Sequence, residues 1–180
     1  ESIYRFALRE LPGGIRRAWQ IELARLNQAG QAVWSWHNTL LQSYAIAVTL
    51  QSGLVFAFGW VMLPFLMVHN IVAWWQLTSA NYVEHYGLER RKSDAGYERT
   101  THLHSWNSSF ALSNAMLFNL QRHSDHHAYP KRRYGILRHF DDSPQLPAGY
   151  PTMFLLALCP PLWKRVMDTR VQAHRAALTA

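Results

Sequence analysis

Leu54-Val55-Phe56-Ala57-Phe58-Gly59-Trp60-Val61-Met62-Leu63-Pro64-Phe65-Leu66-Met67-Val68 is almost wholly apolar. It lies inside a longer segment, 26–83, of 58 residues without an Asp, Glu, Lys or Arg. A helix that crosses a bilayer needs about 20 predominantly apolar residues. The charge-free segment has room for two passes and a turn. Gln51-Ser52-Gly53 is the expected turn, with spans at 32–50 and 54–83. The first span carries His37, Asn38, Gln42, Ser43 and Thr49, so one of its faces must look into a bundle. Pro64 is expected to kink the second. A buried hairpin of a water-soluble protein is the competing reading.

Working outward, charge sets the orientation. All 18 Lys and Arg residues lie outside this segment, five before it and thirteen after it. Under the positive-inside rule both ends of the hairpin are then cytoplasmic, in a multi-pass protein of the inner (plasma) membrane. Topology and an acidic partner explain the net charge of +7 better than nucleic acid does. Hydrophobic residues make up 49% and charged ones only 16%, below the roughly 25% usual for soluble domains. Residues 2–26 read as an amphipathic cytoplasmic helix, broken at Leu11-Pro12-Gly13-Gly14, with Arg16, Arg17 and Arg25 beside an apolar stripe. The expected fold is therefore all-α: a transmembrane helical hairpin, then a cytoplasmic histidine-bearing helical region over 84–180. The single cysteine, Cys159, excludes an internal disulfide framework and a CxxC metal site. The chain opens on Glu1-Ser2-Ile3-Tyr4, with neither an initiator methionine nor a signal-peptide pattern, and is expected to begin within a longer protein.

The chemistry lies in Leu120-Gln121-Arg122-His123-Ser124-Asp125-His126-His127-Ala128. Histidines at i, i+3 and i+4 share one side of a helix, where neutral imidazoles could meet a metal such as iron, zinc or copper. A solvated polar turn is the alternative. Residues 107–120 read as the helix that delivers this cluster, with an apolar stripe at Ala111, Leu112, Ala115, Met116 and Leu120. A fourth histidine, His85, stands in Asn81-Tyr82-Val83-Glu84-His85-Tyr86-Gly87-Leu88, where Gly87 can end a helix. Between them come a charged loop, 89–99, and His102 and His104, expected in supporting roles. Lys131, Arg132, Arg133 and Arg138 form a basic segment, either a solvated turn or a dock for an acidic protein. Residues 162–178 read as a terminal surface helix.

The segments Asn81–Leu88 and Leu120–Ala128 together resemble signature segments of the integral-membrane alkane 1-monooxygenases. Tyr97-Glu98-Arg99, His104-Ser105-Trp106-Asn107 and Pro160-Pro161-Leu162-Trp163 are also similar to that family. The resemblance covers essentially all 180 residues and corresponds to the C-terminal part of such an enzyme. It implies a non-haem centre of two Fe ions held by histidines, here His85, His123, His126 and His127. It implies O2-dependent terminal hydroxylation of medium-chain alkanes to 1-alkanols, with electrons from rubredoxin. Rubredoxins are acidic, so Lys131, Arg132, Arg133 and Arg138 are the expected dock. Asp125, Glu84 and His104 are expected to orient imidazoles. Phe56, Phe58, Trp60, Leu66, His69 and Trp74 are candidates for lining a substrate channel, against lipid-facing or packing roles. The family has two further histidine motifs, of the HExxxH and HxxxHH kind, and this chain contains neither. The 180 residues alone are therefore expected not to form a working di-iron site. A xylene-type hydroxylase, a desaturase and a non-enzymatic histidine metal-binding membrane module are the other readings.

Overall fold

The structure is a computed structural model and describes residues 1–94 and 96–178. Its contacts divide the chain into two units: Tyr4–Leu77, and Glu1–Ile3 together with the chain from Thr78 onward.

In the first unit, α1 (Ile3–Gln28) is unbroken. The break expected at Leu11-Pro12-Gly13-Gly14 does not occur: Pro12 sits inside the helix, and Arg17 pairs with Glu10 across the Pro-Gly-Gly step. Near the end of α1, Glu22 accepts hydrogen bonds from Arg25 (2.7 Å) and from the Thr39 N–H (2.6 Å). The Arg25 guanidinium foremost, with the Thr39 bonds, holds the Glu22 carboxyl down at about 2. These bonds fix the start of α2 (Thr39–Phe58), which Asn38 caps through the Leu40 and Leu41 N–H groups. The first apolar helix thus begins at Thr39, not at 32. The preceding residues form turns that take the chain to its cap.

The chain turns at Gly59-Trp60-Val61, not at Gln51-Ser52-Gly53. Gly59 adopts φ 82°, a conformation that side chains with a Cβ disfavour, whereas Gly53 stays inside α2. Pro64 breaks no hydrogen bond within its helix. It falls in the first turn of α3 (Met62–His85), where backbone N–H groups have no intrahelical partner. Gln51 and Asn70 link the two helices through reciprocal side-chain amide bonds of 3.1 and 3.4 Å. No residue of α2 is buried, although the helix is apolar. Among the described residues, α2 is the one helix long and apolar enough to cross a membrane. Its 20 residues span about 30 Å, the thickness of a hydrocarbon core.

The second unit begins with the last turns of α3. Its charged loop carries a two-residue hairpin, β1 (Lys92–Ser93) and β2 (Gly96–Tyr97), the described exception to an all-helical chain. The helix expected over 107–120 shrinks to α4 (Ala111–Met116). Phe118 and Asn119 follow with φ of 50° and 60°, and left-handed residues cannot continue a right-handed helix. Then come α5 (His123–Ala128), a 3-10 turn at Tyr134–Ile136, α6 (Tyr150–Ala157) and α7 (Pro160–Ala177). α7 is more than a surface helix. Trp163, Met167 and Val171, one turn apart, bury a single stripe. Trp163 packs on Tyr82 and Tyr86 at ring distances of 5.4 and 5.2 Å, and Tyr86 donates to Asp168 (2.7 Å). Gly87 ends α3 at φ 70°; a Cβ there would lie 2.6 Å from Val171 Cγ2. The end of α3 is therefore braced where it carries Glu84 and His85.

Candidate metal centre

His123 and His127 are i and i+4 on α5, so their rings meet edge to face one turn apart. The ring centroids are 4.3 Å apart and the Nε2 atoms 2.7 Å. His85, the last residue of α3, brings its ring within 5.3 Å of His123 and 5.0 Å of His127. One ligand nitrogen from each of the three lies within 4.8 Å of the others. Glu84 joins them: its Oε2 is 3.1 Å from His123 Nε2. Its Oε1 is buried without a hydrogen-bond partner, as is His123 Nδ1. Native structures rarely leave such atoms unpaired. Three imidazoles are a donor set for one divalent transition-metal ion, and Glu84 puts a carboxylate beside one of them.

His126 does not join this cluster. His126 and His127 lie on opposite sides of the His123 direction, about 60° and about 40° around the helix, and only His127 closes on it. The His126 ring lies 6.0 Å from that of His123, is exposed, and lines a separate pocket of about 570 Å³ with Phe118, Leu120, Arg132 and Tyr134.

Burial sets the protonation states. It pushes His123 down to about 2, aided by the neighbouring imidazoles, and His127 down to about 4. It lowers His85 as well, partly offset by the bond to the His104 carbonyl. Burial raises Glu84 to about 8. At neutral pH the four groups carry no net charge: three neutral imidazoles and a protonated carboxyl. A divalent cation favours the ionised carboxylate instead.

The supporting residues differ from those expected. The His104 side chain faces Glu98 (3.0 Å) and accepts from the Thr101 N–H (3.0 Å). It is the His104 backbone carbonyl that accepts from His85 Nδ1–H (3.2 Å), which leaves Nε2 as the unprotonated nitrogen. Asp125 orients no imidazole. It is fully buried and accepts from Arg132 (2.7 and 2.8 Å), from the Arg138 N–H (2.8 Å) and from the Arg138 guanidinium (3.1 Å). Burial alone would raise its carboxyl, but these bonds hold it below the ordinary range. Arg132 and Arg138 therefore anchor the segment after α5 to the buried Asp125, stacked over Tyr129 at 4.7 and 4.9 Å. Lys131, Arg133 and Arg138 are the exposed members of the expected dock, Arg138 while it is bonded to Asp125. Of the three residues expected to orient imidazoles, Glu84 is the one whose side chain touches the cluster; a glutamate directly preceding a candidate ligand was the signal for it.

The channel candidates divide. Phe56, Trp60 and Leu66 line a pocket of about 740 Å³ between α2 and α3, together with Gln51 and Asn70. Phe58, His69 and Trp74 are outside it. His69 Nδ1 lies 3.3 Å from Asn70 Oδ1, and Trp74 packs on Trp75.

A histidine-dominated donor set at the end of a long apolar helix defines a class, and comparison with known proteins gives the same class. Residues 1–157 match the fatty acid desaturase family, and the chain belongs to it. Within it, the chain is 52% identical over 172 residues to the alkane 1-monooxygenase of Pseudomonas putida, which covers 95% of this chain and 43% of that protein. Against alkane 1-monooxygenase 1 of Pseudomonas aeruginosa it is 49% identical over 177 residues, 98% of this chain and 46% of that protein. The xylene/toluene monooxygenase hydroxylase component of Pseudomonas putida is 31% identical over 164 residues, 91% and 43% of the two chains. The chain spans about half the length of the curated relatives it matches.

Proposed function

We propose that this chain is part of a membrane alkane 1-monooxygenase that hydroxylates medium-chain alkanes at the terminal carbon. The observation that carries the reading is the conjunction of two facts. Identity to alkane 1-monooxygenases is about 50% over nearly the whole chain, and His85, His123 and His127 fold into one metal-competent cluster. The identity to the xylene/toluene relative is markedly lower.

The balanced reaction takes alkane, O2, two electrons and two protons to 1-alkanol and water. Two histidine-held iron ions, when bound, would supply O2 reduction and oxygen insertion. The chain's own contribution is to hold and insulate. His85, His123 and His127 would be ligands to one ion, kept neutral by burial, with His85 oriented by the bond to the His104 carbonyl. Glu84 would lend a carboxylate oxygen and release its proton as the ion enters. The donors gathered here fit one ion, so a second ion needs further ligands, with His126 facing away as one candidate. α2 and α3 would form a transmembrane hairpin whose apolar pocket, lined by Phe56, Trp60 and Leu66, excludes water from a lipid-borne substrate. By the positive-inside rule the basic flanks would put the histidine-bearing region on the cytoplasmic side of the inner membrane. There Lys131 and Arg133 would meet an acidic electron donor, rubredoxin.

The test is to express the chain as given and joined to the upstream half of an alkane 1-monooxygenase. Iron per protein and rubredoxin-dependent conversion of octane, xylene and an acyl-CoA are then measured. Two irons and 1-octanol from the joined protein alone support the proposal. Preferred xylene oxidation or acyl desaturation would replace the substrate, and bound zinc without turnover would replace the enzyme by a metal-binding module.

A further inference from the structure

Trp106 and Asn107 lie between the two histidine segments in sequence and touch both in space. They are 2% and 1% exposed. The Trp106 N–H donates to the Glu84 carbonyl (2.8 Å) and its indole N–H to the Tyr86 carbonyl (2.8 Å). These carbonyls flank His85 at the end of α3, where backbone acceptors have no partner within the helix. Asn107 serves the start of α5 in the complementary way. Its Oδ1 accepts from the Ser124 N–H (2.9 Å), and its Nδ2 donates to Ser124 Oγ (2.6 Å). Ser124 adjoins His123, and Arg122 before it supplies no side-chain cap.

The dipeptide is itself held in place. Asn107 N–H donates to the Pro144 carbonyl (2.8 Å), and Leu146 N–H donates to the Asn107 carbonyl (2.7 Å). Asn107 Nδ2 also donates to Ser143 Oγ (2.7 Å), and the Tyr150 hydroxyl to the Trp106 carbonyl (3.0 Å). Every polar group of both residues is engaged. A six-residue helix such as α5 has little stability of its own, so its placement depends on outside contacts.

We propose that Trp106 and Asn107 are positioning residues: one buried dipeptide, bonded to the backbone on both sides of His85 and to the residue after His123, sets the separation of these two imidazoles for a shared metal ion. This rests on reading the cluster as a metal site. A ligand pair held to within about 0.5 Å binds far better than one left to find its geometry.

The experiment titrates the purified chain in detergent micelles with Co(II). It reads the visible absorption of the bound cobalt, metal per chain by elemental analysis, and near-UV circular dichroism. The variants are His123→Ala, Trp106→Phe, Asn107→Ala and, as a packing control in α7, Met167→Leu. Trp106→Phe and Asn107→Ala are expected to weaken Co(II) binding by at least about tenfold and to change the cobalt band with the fold retained. Met167→Leu should stay within about twofold of the unaltered chain. Unchanged affinity and band in both dipeptide variants overturn the proposal, as does an equal loss in Met167→Leu. If one dipeptide variant does not fold, the other decides; if neither folds, the pair is a folding element and the proposal is withdrawn. Failure of the underlying reading is distinct: the unaltered chain would then bind Co(II) no better than His123→Ala, and the proposal falls with it.

Discussion

The two units of this chain solve opposite burial problems. In the Tyr4–Leu77 unit, α2 is apolar yet buries nothing, and Ile46, Leu50, Phe56 and Trp60 are exposed. In the unit from Thr78 onward, polar side chains fill the interior: Asn107, Gln121, Ser124 and Asp125 are fully or almost fully buried. Exposed apolar surface on that scale calls for a nonaqueous partner, and α2 is long and apolar enough to cross a membrane. Buried polar groups call instead for complete hydrogen bonding, which fixes geometry at the cost of tolerance. The first unit is specified by composition and the second by individual atoms.

That contrast can be broken at several points. Gly87→Ala should have the largest effect on stability. Its φ of 70° disfavours a Cβ by about 1–2 kcal/mol, and collision with Val171 adds about 1–3 kcal/mol. Denaturant unfolding in micelles, with tryptophan fluorescence as the probe, should show the loss; a neutral outcome would mean α7 does not brace α3 tightly. Ile46→Lys, in the middle of α2, should cost about 2.5–3.5 kcal/mol of membrane insertion, because a charge at the bilayer centre is poorly solvated. An insertion assay with glycosylation reporters measures it. If α2 faces water, the change is worth no more than about 0.5 kcal/mol, and the comparison between the units collapses.

Asp125→Asn should cost about 1.5–3 kcal/mol, since it weakens charge-assisted bonds from Arg132 and Arg138. The same unfolding assay reads it, and a zero effect would return both arginines to the pool of docking residues. The smallest effect is on pH dependence in chelator-treated protein. Glu84, raised to about 8, keeps its proton when folded and loses it near 4.5 when unfolded, so stability falls as pH rises between those values. His123 and His127, lowered to about 2 and 4 from 6.5, act in reverse, and stability falls as pH drops below 6.5. The metal-free melting temperature should therefore peak near pH 6.5. On the alkaline side it should decline by at most about 1.4 kcal/mol of stability per pH unit. Glu84→Gln should flatten that alkaline decline, and a decline that survives it would assign the effect elsewhere.

Much of this was readable from residue order. The charge-free run 26–83 announced long apolar helices, and α2 and α3 fall within or across it. The His123 spacing announced a metal face, and two of its three histidines meet. Helix boundaries were less readable, because Gly53 and Gly59 look alike in sequence and differ only in the φ that each must adopt. Pro12 and Pro64 were read as a break and a kink, although a proline's effect depends on which turn of a helix it occupies.

By itself, then, the sequence determined the periodic and compositional features: apolar helices, the distribution of charge, and which imidazoles sit one helical turn apart. Only the tertiary structure decided which groups converge. It brought His85 to His123 and His127 and Glu84 to His123, left His126 on another flank, and bonded Arg132 and Arg138 to the buried Asp125. The physical reason is one of range. Helical period and hydropathy act between near neighbours, whereas pairing a buried carboxylate or joining ligands from two helices depends on how distant segments pack.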